Sequence, residues 1–467
     1  MPELAPAAHA AAPPHGSRSP ATTLAVTATA TAVALMNYTA PMLTLPDMAA
    51  AFGTPASAEA WLLNGTPLGL AVLLLVAGSL ADAHGRRRVF LLGTLALGVT
   101  TALGALAGST LTFTLARVAQ GAASAAVLAG SLGLLAHAYP AGRDRIRATG
   151  IWGASVSGGI ALGPLLAGAL SLADWRLAYG VLGAAALVTA ATGARRLPYD
   201  RPEPDHQDRR PDIAGATTLG LALAALLTAL TLGRDGWLRP QVGLLLLASA
   251  ALTAAFAAVE HRIRTPMVDL ALLRRPAFLA SVLGALFTGL AVIGLFSVVP
   301  ALLQGGAGMS PLGAAWLFVL WSGTAFVVAL QARRLAVSAP YQLTLGFALS
   351  AAGILALLGS VEGGPWPRLV PGLLLAGAGS GLLNAALPRL AVDSVPPERA
   401  AMGSGANNTA RYIGSSAGVA LTLALGPAGP DTALLVSAGL AATGAALTLV
   451  LARGHRSGTS VAQTTSR

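Results

Sequence analysis

The chain contains no cysteine, which excludes disulfides and thiolate metal sites. It contains no lysine either, so all 29 of its Lys/Arg positions are arginine. No Gly-x4-Gly-Lys-Ser/Thr run exists, which excludes the phosphate loop of an ATP-driven pump. Charge of either sign is scarce. Asp, Glu, Lys and Arg make up 10% of the 467 residues, against about 25% in soluble domains. What fills the space is apolar: 55% of the residues are hydrophobic and the mean hydropathy is +0.69. A globule in water cannot hide that much Leu, Val and Ala, so the chain reads as an integral membrane protein. The net charge of +11 does not indicate nucleic acid, because the arginines are spread over short loops instead of gathering on one domain. His9, His15, His84, His206, His261 and His455 fall in tails or loops, and His137 at the end of a span. With no HExxH and no GxSxG, nothing reactive is embedded in the spans, and neither enzyme activity, metal nor cofactor is expected.

A helix crossing the hydrocarbon core needs about 20 apolar residues. Charged or proline-rich breaks divide the chain into about 14 such segments, starting near Ala21, Ala60, Val89, Leu111, Ala148, Trp175, Ile213, Val242, Phe278, Leu312, Leu343, Leu369, Ala401 and Thr432. The fold class is therefore all-α. The organisation predicted is a disordered tail over 1–20, a six-helix bundle over 21–195, a charged linker over 196–212, two extra helices over 213–260, a second six-helix bundle over 276–453 and a polar, disordered tail over 454–467. Residues 1–20 lack the pattern of a signal peptide. Orientation follows from arginine bias. With a cytoplasmic N-terminus, only Arg176, Arg234, Arg239 and Arg368 fall in outer loops and Arg117 and Arg411 within spans. Both termini and the linker are then cytoplasmic. Two six-helix bundles facing each other suit alternating access to a midplane site.

Three short motifs carry chemistry. Gly78-Ser-Leu-Ala-Asp82-Ala-His-Gly85-Arg86-Arg87-Arg88 fills the turn between the second and third segments. Gly78 allows close helix approach, Asp82 can accept bonds from arginine or a helix N-terminus, Gly85 supports the reversal, and Arg86 and Arg87 suit charge-assisted bonds and anionic lipid headgroups. A plain positive stop signal would need the arginines but not the glycines or the acid. In the fourth segment, Arg117 with Gln120-Gly121 is an arginine inside a span; it reads as a functional site by default, or as a side chain snorkelling to the interface. In the fifth, Gly159, Gly163-Pro164, Ala167 and Gly168 form a small-residue stripe with a helix-breaking proline.

Together these resemble the signatures of the major facilitator superfamily: its loop between spans two and three, its fourth-span Arg motif, and the fifth-span motif that marks its antiporters. Asp174-Trp175-Arg176 resembles the superfamily's Trp-Arg pair at the start of the sixth span, and Gly236-Trp237, Gln304 and the run through Gly405, Asn407, Asn408, Arg411 and Gly418 are similar to the 14-span drug:proton antiporter branch. The resemblance covers most of 21–450. It implies the major facilitator fold, two six-helix bundles plus two extra helices. It implies a loop (Gly78, Asp82, Gly85, Arg86, Arg87) that latches one bundle to the other, a part for Arg117 in proton transfer, and export of drugs, antibiotics or small hydrophobic metabolites across the cytoplasmic membrane in exchange for protons. An uncoupled facilitator or metabolite importer of the same fold, and a non-transporting membrane sensor or scaffold, are the competing readings. The partners expected are a small-molecule substrate, protons and membrane lipids, with no nucleic acid, and the protein is expected to be monomeric.

One departure matters. The branch usually carries Asp in its first span; here the run is Met36-Asn37-Tyr38-Thr39, and an amide does not titrate. No Asp or Glu lies near the middle of any segment; Asp47, Glu59, Asp82 and Asp235 lie near ends. Asp47, Glu59 and Arg117 are therefore the candidates for proton coupling. Polar side chains in apolar spans are the candidates for the substrate path: Asn37, Asn64, Gln120, Asn384, Asn407, Asn408 and Arg411, with Trp152 as an apolar contact. Each amide is alternatively interhelical glue. The lack of embedded acids argues against a strongly cationic substrate and for a neutral, amphipathic or anionic one.

Overall fold

Proline and loop charge set where the helices begin and end. The computed structural model describes residues 19–464 except 140–141, 199–211, 234–235, 264–269, 333, 336, 362, 364 and 397–399. Residues 1–18 of the predicted N-terminal tail and most of the predicted linker thus lie outside the described residues, as do Asp235, the last three residues and the side chain of Asp82. Among the described residues all regular structure is helical: α1 Pro20–Thr39, α2 Pro41–Phe52, α3 Glu59–His84, α4 Arg86–Ala105, α5 Thr110–Ala138, α6 Arg143–Leu170, α7 Arg176–Arg196, α8 Ile213–Gly233, α9 Pro240–Arg262, α10 Pro276–Phe287, α11 Gly294–Gly306, α12 Pro311–Ala332, α13 Ala339–Leu355, α14 Leu369–Asp393, α15 Ala400–Ala424 and α16 Pro430–Thr464. Pro20, Pro41, Pro240, Pro276, Pro311 and Pro430 each open a helix, where a missing N–H has no intrahelical partner to lose.

Two junctions join helices into longer spans. Ala40 keeps helical angles and its N–H reaches the Met36 carbonyl at 2.9 Å, so α1 and α2 form one rod interrupted only by the donor that Pro41 lacks. A π-helical turn, Thr288–Ile293, joins α10 to α11. Counted this way the described helices form fourteen spans, one for each predicted segment. Ten helical stretches are long and apolar enough to cross a membrane on their own. One limit differs: α16 continues to Thr464, past the start of the polar tail predicted from 454, since that stretch contains no proline to stop it.

Six spans pack as one bundle, with α1 against α6, α3 and α4 against α5, and α4 against α7; six pack as another, with α10 against α15, α13 against α14 and α16, and α12 against α14. The extra helices α8 and α9 pair with each other, and α8 also lies against α3 and α15, one from each bundle. At one end of the molecule, Gly85 turns α3 into α4 with φ +93°, a conformation open to glycine and costly for other residues. The opposite end holds the turn at Gly53. There Phe52, Phe113, Trp175 and Tyr179 form edge-to-face pairs with centroids 5.3–6.0 Å apart, and the Asp174 carboxylate accepts the Arg176 N–H at 2.8 Å, fixing the start of α7.

Close backbone approach carries the second bundle. A Cβ on Gly414 would run into the Leu286 carbonyl, and one on Gly289 into the Arg411 carbonyl, so α15 and the π turn touch main chain to main chain. Gly243, on α9, has open space where a Cβ would stand. Gly414→Ala is therefore expected to lose about 1–3 kcal/mol of stability through overpacking, whereas Gly243→Ala holds or gains stability. Thermal unfolding of the detergent-purified variants measures both.

Candidate functional site

The fourth-span arginine turns inward. Arg117 is fully buried, and its guanidinium reaches α1, the helix that carries Asn37. Nη1 donates to the Asn37 carbonyl (2.7 Å), the Asn37 Oδ1 (3.1 Å) and the Gln120 Oε1 (2.8 Å), and Nη2 donates to the Tyr38 carbonyl (3.3 Å). The amides are held in turn: Asn37 Nδ2 donates to Thr101 Oγ1 at 3.0 Å and to Gln120 Oε1 at 3.2 Å, and Gln120 Nε2 to the Thr100 carbonyl at 3.0 Å. α1, α4 and α5 thus share one buried polar knot. Every acceptor named for Arg117 is neutral, and its Nε has no hydrogen-bond partner. A snorkelling arginine would point to the interface; this one is captured by main-chain carbonyls and two amides.

The two bundles meet from the Gly53 end down to mid-span. Tyr38 and Ser415 share a hydroxyl bond (3.1 Å), Asn64 Nδ2 donates to the Ser416 carbonyl (3.0 Å), Thr409 Oγ1 to the Ala71 carbonyl (3.3 Å) and Gln304 Nε2 to the Leu43 carbonyl (3.0 Å). The Tyr38 and Tyr412 rings stand edge to face at 5.9 Å. Gly168 on α6 abuts Pro311 and Ala315 of α12. Towards the Gly85 end, by contrast, Gly78 on α3, Gly150, Gly153 and Gly158 on α6 and Gly323 on α12 all face open space. The bonds named between the bundles thus lie from the Gly53 end to mid-span.

The remaining candidates divide by place. Gly159 packs against Ala32 and Leu35 and Gly163 against Thr39 and Met36, so the fifth-span stripe seats α6 on α1; Pro164 lies inside an α6 that stays continuous. In the Gly85 loop, Arg86 Nη1 donates to the Gly133 carbonyl (3.3 Å), and Arg87 donates to the carbonyls of Ala194 (2.7 Å) and Leu197 (3.3 Å). These bonds brace α4 against α5 and α7. A Cβ at Gly78 would meet no described atom within 4 Å, so the close helix approach expected of it is not made here. Asn407 donates to the Ser281 carbonyl and hydroxyl at 3.0 and 2.9 Å, tying α15 to α10 within one bundle. Asn408 and Arg411 are half-buried and paired, Arg411 Nη2 to Asn408 Oδ1 at 2.8 Å. Trp152 Nε1 donates to Thr31 Oγ1 at 2.9 Å, and Asn384 is exposed. Asp47 is half-buried in α2, within reach of the charge on Asp174, and Glu59 opens α3, both at the Gly53 end.

Sequence reasoning missed Thr101, Ser415 and Ser416, since a lone hydroxyl in an apolar run carries no distinguishing signal. It also missed Asp212 and Glu260, both buried, at the ends of α8 and α9. Their proximity to charged loops made them read as loop residues, whereas Asp212 Oδ1 accepts the Gly215 N–H at 2.7 Å and caps α8.

Two six-helix bundles joined across a seam, with an arginine buried inside the fourth span, are the architecture of a multi-pass membrane transporter. Residues 27–419 match the family model described as Major Facilitator Superfamily, and the chain belongs to that superfamily. It is 32% identical over 382 residues to multidrug resistance protein Stp of Mycobacterium tuberculosis, covering 81% of this chain and 70% of that one. It is 32% identical over 407 residues to puromycin resistance protein pur8 of Streptomyces alboniger (85% and 80%). It is 31% identical over 447 residues to a probable actinorhodin transporter of Streptomyces coelicolor (89% and 75%). Among solved structures, an auto-inhibited POT family peptide transporter has the same fold at TM-score 0.66 and 15% identity, covering 92% of this chain and 96% of that one. So does the human organic anion transporter MFSD10, at TM-score 0.61 and 18% identity (94% and 100%).

Replacing Arg117 by methionine keeps the apolar stem but removes the donor to the Asn37 carbonyl and Oδ1 and to the Tyr38 carbonyl, while Gln120 Oε1 keeps Asn37 Nδ2 as a partner. Arg117→Met is expected to cost about 2–3 kcal/mol in stability, the penalty for unpaired buried acceptors. Asn37→Ala removes one acceptor and leaves the Asn37 and Tyr38 carbonyls in place, so a smaller loss is expected. Chemical unfolding in detergent, followed by tryptophan fluorescence, ranks the two.

Proposed function

We propose that this chain exports drugs, antibiotics or small hydrophobic metabolites across the cytoplasmic membrane by alternating access. The observation that carries the reading is that the named bonds between the bundles lie from the Gly53 end to mid-span, which we read as a cleft on the other side of that joint. It is open at the Gly85 end, which the arginine bias makes cytoplasmic, and it narrows to Tyr38, Tyr412 and Ser415 at mid-span. That is a loading state for outward transport. Both termini are then cytoplasmic. The antibiotic and multidrug resistance relatives support the same cargo class. Glycines left open at the cytoplasmic end, Gly78 first among them, supply the surface on which the bundles close when the other end opens.

Exchange for protons is the driving reaction that the three motifs favour, with Asp47 and Glu59 at the outer mouth as the titrating groups. Uncoupled facilitation is the second reading, and one feature favours it: the position of the usual first-span acid is Asn37, bound to Arg117 as an amide.

Deleting the gene is expected to raise intracellular accumulation of at least one compound in a panel of antibiotics and dyes; unchanged accumulation throughout would rule for a sensor or scaffold. In proteoliposomes with an imposed pH gradient, transport of that compound is expected to exceed transport without one. Equal rates would dismiss antiport and leave facilitation. Asn37→Asp, which places a carboxylate against Arg117, is expected to increase the dependence on the gradient.

A further inference from the structure

α15 presents one accessible face to the cleft. Ser404, Asn408 and Arg411 are half-buried positions at helical spacing, while Tyr412 and Ser415, next along, are buried where the bundles join. Arg411 therefore sits just below the closure, at the deepest point reached from the open end. Its guanidinium lies 5.3 Å from the Tyr412 ring centre and donates once, from Nη2 to Asn408 Oδ1 at 2.8 Å. Nε is buried with no hydrogen-bond partner. Arg117, on the far side of Tyr38, is enclosed by its own amides and carbonyls and is not reached from the cleft.

The charge balance around Arg411 is one-sided. Residues 20–46, 60–81, 145–170, 276–332 and 400–424, on the helices that make up the walls around it, contain no Asp or Glu. An arginine in the middle of a span costs about 2.5–3.5 kcal/mol on insertion scales unless something compensates it. Asn408 supplies a dipole, not a charge. Opposite, the accessible stripe of α1 is Ala25, Thr29, Ala32 and Met36, and Trp152 on α6 is half-buried. Thr29 lies nearly two turns from Met36, towards the open end, so the part of the stripe that faces the depth of the cleft is Ala32 and Met36. The deep cleft is thus cationic on the α15 side and apolar, with an aromatic, on the other.

We infer that Arg411 is an anion anchor. It receives the acidic group, carboxylate or phenolate, of an aromatic acid whose ring lies against Met36 and Trp152. Asn408 is a positioning residue: its Oδ1 holds one arm of the guanidinium so that the remaining donors face the cleft. A bound anion completes the set of donors and removes the uncompensated charge, which a neutral or cationic cargo cannot do. This rests on the export reading and names its substrate class.

The test uses the full-length protein in proteoliposomes and three probes with one ring system: 2-naphthoate, 2-naphthalenemethanol and 2-naphthylmethylammonium. For the unaltered protein, naphthoate is expected to bind at least about tenfold more tightly than the alcohol, and the ammonium least, as a charge-assisted bond in a dry site requires. Arg411→Gln is expected to remove the preference for naphthoate while leaving the alcohol's affinity unchanged; Arg411→Lys is expected to retain part of it. Asn408→Ala is expected to weaken naphthoate alone, by less than Arg411→Gln. Equal binding of the three probes by the unaltered protein, or preference for the ammonium, overturns the anchor even if every variant misfolds. So does a loss shared equally by all three probes in a folded Arg411→Gln protein, the mark of a structural role. Absence of charge preference in the unaltered protein, with export intact in cells, would remove the anchor and keep the exporter. Charge-selective binding without any change in accumulation on gene deletion would do the reverse.

Discussion

A guanidinium without a carboxylate, held inside a membrane-spanning bundle, is the constraint around which the first half of this molecule is built. Arg117 cannot be left bare in a low-dielectric interior, and no acid within the surrounding spans can neutralise it. The solution is geometric. The Arg117 side chain collects the carbonyls of Asn37 and Tyr38, at the end of α1, together with two side-chain amides. Main-chain carbonyls become available there because Pro41 lacks the N–H that would have occupied the carbonyl one turn earlier, that of Asn37. The break between α1 and α2 and the burial of Arg117 are thus two sides of one arrangement, and the Tyr38 ring is fixed at the bundle seam as a result.

The second half solves a different problem with glycine. Gly289, Gly294, Gly414 and Gly418 let the π turn and α15 approach through their backbones, and Asn407 locks α15 to the neighbouring α10 through Ser281. That contact fixes α15, the helix that carries Asn408 and Arg411, within its bundle. The extra pair α8–α9 adds a brace, since α8 lies against a helix of each bundle.

Much of this was legible in the amino-acid sequence. The spans were, because hydropathy and proline placement act locally: each predicted start has a described helix, although Pro164, expected to break its helix, stands inside an α6 that stays continuous. The inward pull on Arg117 was only half legible. Its residue type marked it, but its partner Asn37 is 80 positions away, and no local pattern announces that pairing. Ser415 meets Tyr38 across 377 positions, further still beyond any periodicity. Gly78 shows a different limit. A sequence motif describes a contact made in some arrangement of the helices, and here a Cβ at that glycine would meet no described atom within 4 Å. The π turn escaped because its residues, Thr288–Ile293, are as apolar as an ordinary helix.

The bonds that join the bundles have a common character with consequences for how they part. Tyr38 to Ser415, Asn64 to Ser416, Thr409 to Ala71 and Gln304 to Leu43 are all made by hydroxyls and amides on hydroxyls or main-chain carbonyls. None of these groups changes charge across the physiological pH range. Unfastening them exchanges each for a bond to water, at a small net cost that ionic strength does not screen. The joint therefore behaves as a fastener wetted open by solvent, equally strong in acid and in salt. Any dependence of the cycle on acidity must enter elsewhere in the molecule.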